Sequence, residues 1–336
     1  MKIAVVGLGA AGSYLVRRLS MLGYEVKGFE RQPLESFKAI CAWGTSRSVM
    51  KQLLRNVDFD FDDFLLHLGE RLTLDNGRKS SVIPLKGLCT YEKARLELEL
   101  ARGLDVAYGS PPDLDYLLKR FDLVVDATGV TRALLPKPSA DEVVPCFEYR
   151  MRYLNGKPFD DFYVRIFGGW TGYLWYFPLG ENEAYLGAGD IHGNQVREVN
   201  SFNKKHWGEA VVKVGKAIRI TPPELCQPIV SGKVVGVGES VGTVYPMLGE
   251  GIVPSIECAE LFVENIEDLD RYVEEVLHKF KPFADVYRMV KLKQRGELSL
   301  VKHMPLLMRC YRYMKEREDR FGLTIRYSDL QLILEA

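Results

Sequence analysis

No apolar run in the 336 residues approaches the ~18 that a helix needs to cross a bilayer, so no membrane-spanning helix is expected. Net charge is missing too. Lys plus Arg and Asp plus Glu both number 45, which gives nucleic acid no electrostatic hold. Cysteine is sparse and scattered. The six, at 41, 89, 146, 226, 258 and 310, form no C-x-x-C pair, which points to a reduced, cytoplasmic chain with mostly structural thiols. None of the five histidines has a partner at ligand spacing, so no metal is expected. No secretory pattern precedes Lys2–Val6, and no repeat or low-complexity stretch interrupts the chain. What remains is 47% hydrophobic and 27% charged, an ordinary globular balance in a chain long enough for two domains.

The most informative feature that is present is a spacing. The apolar run Ile3-Ala4-Val5-Val6 leads into Gly7-Leu8-Gly9-Ala10-Ala11-Gly12, then a helical stretch, then a second strand ending at Glu30. Glycines let the backbone turn and approach a pyrophosphate, and the helix N-terminus offers unpaired N–H groups and partial positive charge. Glu30 stands 18 residues past Gly12, where an acid accepts hydrogen bonds from ribose hydroxyls. Gly7, Gly9, Ala11, Gly12 and Glu30 are therefore candidate dinucleotide contacts.

Further along, Ser13–Met21 reads as a helix and Glu25–Glu30 as a strand, followed by a long connection over 31–50 carrying Cys41-Ala42-Trp43-Gly44. Asp75-Asn76-Gly77 marks a hairpin. Tyr91–Arg102 is helical, Leu104–Tyr108 a strand, and Leu123-Val124-Val125-Asp126 a buried strand entering Ala127-Thr128-Gly129. Residues 146–190 alternate as half-buried antiparallel strands do. Helices are expected over 199–217 and 252–266 and through most of 268–336, with a strand at Lys233–Val237. The nucleotide-binding segments are thus split, as in flavoproteins, whose ring sits between two domains. The expected division is a cofactor domain at 1–50, 85–135 and 228–266, a substrate domain at 51–84 and 136–227, and a helical region at 267–336.

Three segments together resemble the flavin-binding fold of p-hydroxybenzoate hydroxylase and its relatives: Gly7–Glu30, Asp126-Ala127-Thr128-Gly129, and Gly238-Glu239-Ser240-Val241-Gly242 followed by Pro246 and Gly249-Glu250-Gly251-Ile252. Glu239 stands where that family usually has Asp, which moves the carboxylate by about one bond length. Gly236-x-Gly238-x-x-x-Gly242 could pass for a second nucleotide loop. Pro246 opposes this, because proline inside the helix that should follow costs ~3 kcal/mol. A helix starting near Gly251, with Pro254 in its first turn, fits better. Tyr173-Leu-Trp175-Tyr-Phe177-Pro178, followed by Gly187-Ala-Gly189, is similar to the Y-x-W-x-F-P…G-x-G motif of geranylgeranyl reductases, which also carry a cysteine near the position of Cys41.

The resemblance implies an α/β fold: a Rossmann-type FAD-binding domain with an inserted antiparallel substrate sheet and a helical C-terminus. It extends the FAD contacts to Arg31, Ala42, Val106, Thr128, Gly129, Gly238, Glu239, Gly249, Gly251 and Ile252. Tyr173, Trp175, Phe177 and Pro178 are implied substrate contacts, although alternation alone would equally make the three aromatics core. Cys41 and Tyr173 are implied beside the reaction, with Tyr173 or water supplying a proton. The implied activity saturates isolated double bonds of an isoprenoid lipid or prenyl diphosphate, with electrons from an external donor, ferredoxin or reduced nicotinamide. Monooxygenation or dehydrogenation of another apolar substrate, and a flavoprotein without activity, remain open alternatives. Leu307, Cys310, Tyr311 and Met314 lie at helical spacing beside Arg309, Arg312 and Lys315, a pattern shared by an ordinary surface helix and a peripheral membrane contact.

Overall fold

A computed structural model describes residues 1–109 and 112–336. Two large sheets organise it. The first has six strands and is built from segments distant in sequence. Lys2–Val6 lies between Glu25–Glu30 and Leu123–Asp126, with Val106–Tyr108 beyond the former and Val234–Gly236 beyond the latter, all parallel. Val230–Ser231 adds an antiparallel edge. The strands are near-continuous runs of Val, Ile, Leu and Ala because helices cover both faces. Ile3, Ala4, Val5, Val124 and Val125 have no exposed surface. The strand order reverses between Lys2–Val6 and Leu123–Asp126. In a doubly wound sheet, that reversal opens a crevice at the strands' C-terminal ends.

The second sheet has seven strands, in the order Glu209–Arg219, Val143–Arg152, Glu183–Asp190, Gly172–Pro178, Phe162–Ile166, Arg71–Asp75 and Ser80–Pro84. All neighbours are antiparallel except Phe162–Ile166 against Arg71–Asp75. One face packs under the helix Gln195–His206, where Met151, Leu174, Tyr176, Leu186 and Val199 form a small separate core. Its other face turns toward the crevice of the first sheet. A three-stranded sheet of Gly44–Ser46, Leu88–Tyr91 and Leu65–Leu68 bridges the two. The helices Leu269–Lys279, Lys281–Gln294, Met304–Lys315 and Tyr327–Glu335 complete the C-terminal part.

Two expectations need correction, and one open alternative can be located. The stretch 199–217 is not helical throughout. Its helix stops at His206, Trp207 takes a left-handed backbone, and Glu209–Arg219 becomes an edge strand. Val211-Val212 and Val214 within it favour the pleated form. The connection over 31–50 is not all loop, because Gly44–Ser46 pairs with Leu88–Tyr91 and a helix begins at Arg47 under the Ser46 cap. In Met304–Lys315, the apolar stripe points inward. Leu307, Cys310 and Met314 are buried in the main core, and the exposed apolar side chains nearby are Leu300, Val301, Met304 and Met308.

Candidate active site

A continuous cavity of about 730 Å³ occupies the crevice between the two large sheets. Its first end is built by the glycine turn. Gly7 has φ +89°, and a Cβ there would lie 2.6 Å from the Ala127 carbonyl oxygen. At Gly12 a Cβ would fall 1.8 Å from the Gly7 oxygen, so this glycine seats the helix Ala10–Met21 on the turn. Gly9, which caps that helix, differs. A Cβ there would meet nothing within 4 Å, and Gly9, Ala10 and Ala11 all line the cavity. The backbone is thus bare where the helix presents its unpaired N–H groups.

Glu30 lies on the same wall, 7% exposed. One carboxylate oxygen accepts from the Leu8 N–H and the other from Gln32, both at 2.9 Å. A carboxylate has about four lone-pair sites, so capacity remains for a hydroxyl pair. The Asp126 carboxylate accepts from the backbone of Thr128, Leu134 and Leu135 and from the Thr128 hydroxyl, which fixes the Thr128-Gly129 turn. Glu239 crosses toward that turn. A Cβ on Gly129 would sit 2.9 Å from one of its oxygens, while the other accepts from the Arg219 N–H at 2.9 Å. The extra methylene of Glu over Asp therefore reaches the seven-stranded sheet. The helix Ile252–Glu264 starts at Gly251 with Pro254 in its first turn, so Gly236-x-Gly238 opens no second nucleotide helix.

The middle of the cavity is a face of the seven-stranded sheet. Three strands align their side chains in rows: Cys146, Gly189 and Tyr173; Glu148, Gly187 and Trp175; Arg150, Tyr185 and Phe177. The two glycines of the central strand make this face a trough. A Cβ on Gly187 would lie 2.3 Å from the Trp175 ring and 2.7 Å from the Glu148 Cβ. Tyr173 and Trp175 stand 5.7 Å apart, ring to ring, and the Tyr173 hydroxyl donates to the Leu248 carbonyl. Cys41 faces them from the loop after Glu30, and burial pushes its thiol pKa up, so it is held neutral. The far end is apolar, with Leu72, Leu74, Val164, Ile166, Phe177, Leu323 and Ile333.

Most of the residues singled out from the sequence meet here. Gly7, Gly9, Ala11, Glu30, Arg31, Cys41, Ala42, Thr128, Gly129, Tyr173, Trp175, Phe177, Glu239, Gly249, Gly251 and Ile252 all line the cavity. Four do not. Gly12 packs on Gly7, and Gly238 on Ala11 and Ser255. Val106 sits over Gly28, and the Pro178 carbonyl is tied to the Thr90 hydroxyl. The cavity also holds charged groups that motif reasoning missed. Lys93 and Glu97 form a buried pair at 2.5 Å, and Arg320 meets Glu250 at 2.9 Å. Glu148 is 4% exposed, and neither of its oxygens is hydrogen-bonded. The available signals were the i, i+4 spacing of Lys93 and Glu97 and a lone acid on the inward face of an alternating strand.

The described residues contain no cluster of metal-ligating side chains and no helix long and apolar enough to cross a membrane. No family model matches the chain. Individual relatives do. It is 25% identical to digeranylgeranylglycerophospholipid reductase 1 of Methanopyrus kandleri, over 91% of this chain and 96% of that one. It is 24% identical to digeranylgeranylglycerophospholipid reductase 2 of Methanothermobacter thermautotrophicus, over 77% and 76%. Among solved structures, a geranylgeranyl bacteriochlorophyll reductase-like protein of Thermoplasma acidophilum superposes with a TM-score of 0.72 at 18% identity, over 99% and 96%. A probable FAD-dependent monooxygenase of Pseudomonas aeruginosa superposes with a TM-score of 0.62 at 14% identity, over 88% and 96%. The chain is similar to geranylgeranyl reductases along most of its length and has the fold of FAD-dependent oxidoreductases.

Proposed function

We propose that this relative of the geranylgeranyl reductases is an FAD-dependent reductase that saturates C=C bonds in a geranylgeranyl-type isoprenoid chain of lipid or prenyl metabolism. The observation that carries the reading is the continuity of one cavity. It joins a glycine cradle and Glu30 at one end to an apolar trough and tunnel at the other. On this reading, residues 1–50, 85–135 and 228–266 form the cofactor domain, and 51–84 with 136–227 form the substrate domain.

The residues present fit a dinucleotide. Gly9 leaves a bare approach to the helix N-terminus, Glu30 keeps acceptor capacity, and Arg31 and Ala42 stand on the same wall. Bound FAD, once reduced, supplies the hydride equivalent. The chain supplies position and dryness. Trp175 and Phe177 wall the trough, so an apolar chain lies along it with water displaced. Cys41 meets the chain as a neutral thiol, which adds shape without charge. Tyr173 spends its hydroxyl on Leu248 and so holds the loop ahead of the Ile252–Glu264 helix. Electrons come from an external donor, ferredoxin or reduced nicotinamide. A peripheral contact with the lipid surface uses the exposed Leu300, Val301, Met304 and Met308.

The test is anaerobic. The purified holoprotein is reduced with dithionite and mixed with geranylgeranyl lipid. Reoxidation of the flavin, with product two mass units heavier per bond, supports the reading. A reduced flavin that ignores the lipid but consumes oxygen with another apolar substrate overturns it.

A further inference from the structure

Reduction of an isolated alkene needs a proton as well as a hydride, and such an alkene is a poor hydride acceptor until that proton is close. Tyr173 is badly placed to give one, because its hydroxyl already donates to Leu248. Cys41 is a thiol whose burial disfavours the thiolate that proton donation would leave.

Glu148 is as buried as Cys41 but is the intrinsically stronger acid, and its carboxyl is not committed to another acceptor. It stands on the inward face of Val143–Arg152, in the cavity wall, in one row with Gly187 and Trp175. The missing side chain at Gly187 lets its carboxyl end and the Trp175 ring share the trough. No hydrogen bond of ordinary geometry reaches either buried carboxyl oxygen, although the Trp175 indole N–H and the Cys41 amide lie close enough to pull weakly on the carboxylate. An ionised carboxylate left so would carry a heavy desolvation cost, whereas a carboxylic acid facing an apolar chain carries far less.

We propose that Glu148 is the proton donor of the reduction, a catalytic residue that touches the alkene from the trough wall. This rests on the alkene-reductase reading above. In the step, the Glu148 O–H bond breaks and a C–H bond forms at one alkene carbon from the π pair. The other, more substituted carbon takes the hydride, so the alkene is reduced by two electrons and the flavin that supplied them is oxidised. The carboxylate left behind recovers its proton from water.

The surroundings suit that cycle. Burial pushes the Glu148 pKa up to about 8, against the pull of the Trp175 indole, the Cys41 amide and the Lys93 charge. The acid is therefore protonated at neutral pH and close enough to neutrality to give the proton up. Each neighbouring element contributes a group: Lys93 from its helix, Cys41 from the loop, Cys146 and Arg150 from the same strand, Tyr185 and Trp175 from the next two. Lys93, although paired with Glu97, adds a small favourable pull on the transient carboxylate.

Three measurements on the holoprotein decide it. Wild type is first shown to reoxidise with geranylgeranyl lipid. If it does not, the function reading fails and Glu148 falls with it. Given wild-type turnover, Glu148→Gln is expected to keep its flavin spectrum but reoxidise about 10²-fold or more slowly. Glu148→Asp is expected to recover part of the rate. A Glu148→Gln rate within threefold of wild type overturns the proposal while leaving the function standing. Should that variant lose flavin, wild type alone decides. Its infrared spectrum should show a protonated carboxyl band that titrates near pH 8, and reoxidation should slow above that pH. No such band at neutral pH, or a rate that does not change with pH, overturns the assignment.

Discussion

Tyr173 donates its hydroxyl to the carbonyl of Leu248, and this bond ties the trough of the seven-stranded sheet to the loop that ends at the Ile252–Glu264 helix. Gly249 sits directly against it, since a Cβ there would lie 3.1 Å from the hydroxyl oxygen. The residue first suggested as a proton source is thus an anchor. Tyr173→Phe removes about 0.5–1.5 kcal/mol of loop fixation. Flavin affinity is expected to fall up to about tenfold, with lipid-driven reoxidation of the loaded protein within threefold of wild type. A hundredfold loss with flavin bound would return the proton to Tyr173.

Gly187 is required by contact. A methyl group there meets both the Trp175 ring and Glu148. Gly187→Ala is expected to cost about 1–3 kcal/mol through overpacking. It should also narrow the trough, so that turnover of long isoprenoid chains drops more than that of short ones. Trp175→Ala widens it instead and should lower turnover on long chains while flavin stays bound. Loss of flavin from Trp175→Ala would make the ring a structural support.

The glycines of the first turn separate into two kinds. Gly12→Ala drives a Cβ into the Gly7 carbonyl, so the variant is expected to unfold at lower temperature and purify colourless. Gly9→Ala meets no protein atom within 4 Å, so melting of the flavin-free protein should be unchanged. Its Cβ enters the cradle, and flavin affinity is expected to fall at least tenfold. Thermal melts of stripped protein beside flavin titrations check both.

Glu318 gives a pH signature away from the site. Hydrogen bonds from Lys315 and Lys86 hold its pKa down to about 2, below the ordinary 4.5. A depressed acid stabilises the fold fully above its unfolded pKa and stops doing so as pH falls through its folded one. Glu318→Gln should therefore be less stable than wild type by about 1–2 kcal/mol at neutral pH. That gap should close between pH 4.5 and 2, and urea melts across pH measure it. Glu148 runs the other way. Its raised pKa makes wild type lose stability as pH climbs from 4.5 to about 8, a slope that Glu148→Gln should lack.

Legibility followed locality. Gly7, Gly9, Gly12 and Glu30 lie within one short β-α-β unit, so spacing alone could place them. The Tyr173, Trp175 and Phe177 stripe was visible as alternation, and its motif pointed to the cavity face where it lies. Glu148 was invisible as a site residue. Its meaning depends on Gly187 and Trp175, which reach it only through strand pairing across some forty residues of sequence, and on Cys41, which comes from the loop after Glu30. The strand at Glu209–Arg219 was misjudged because edge strands carry polar residues on both faces, and Lys213, Lys216 and Glu209 blur the alternation. Pro178 fits the motif but turns away from the cavity, since position in a motif does not say which way a side chain points.

Val6 and Ile333 face the same cavity, although nearly the whole chain separates them. The complete wall exists only when both sheets and the last helix have docked. Flavin bound across such a space would stabilise the docked fold, by an amount that grows with the logarithm of its concentration. The yellow colour of the purified protein would then serve as a gauge of folding.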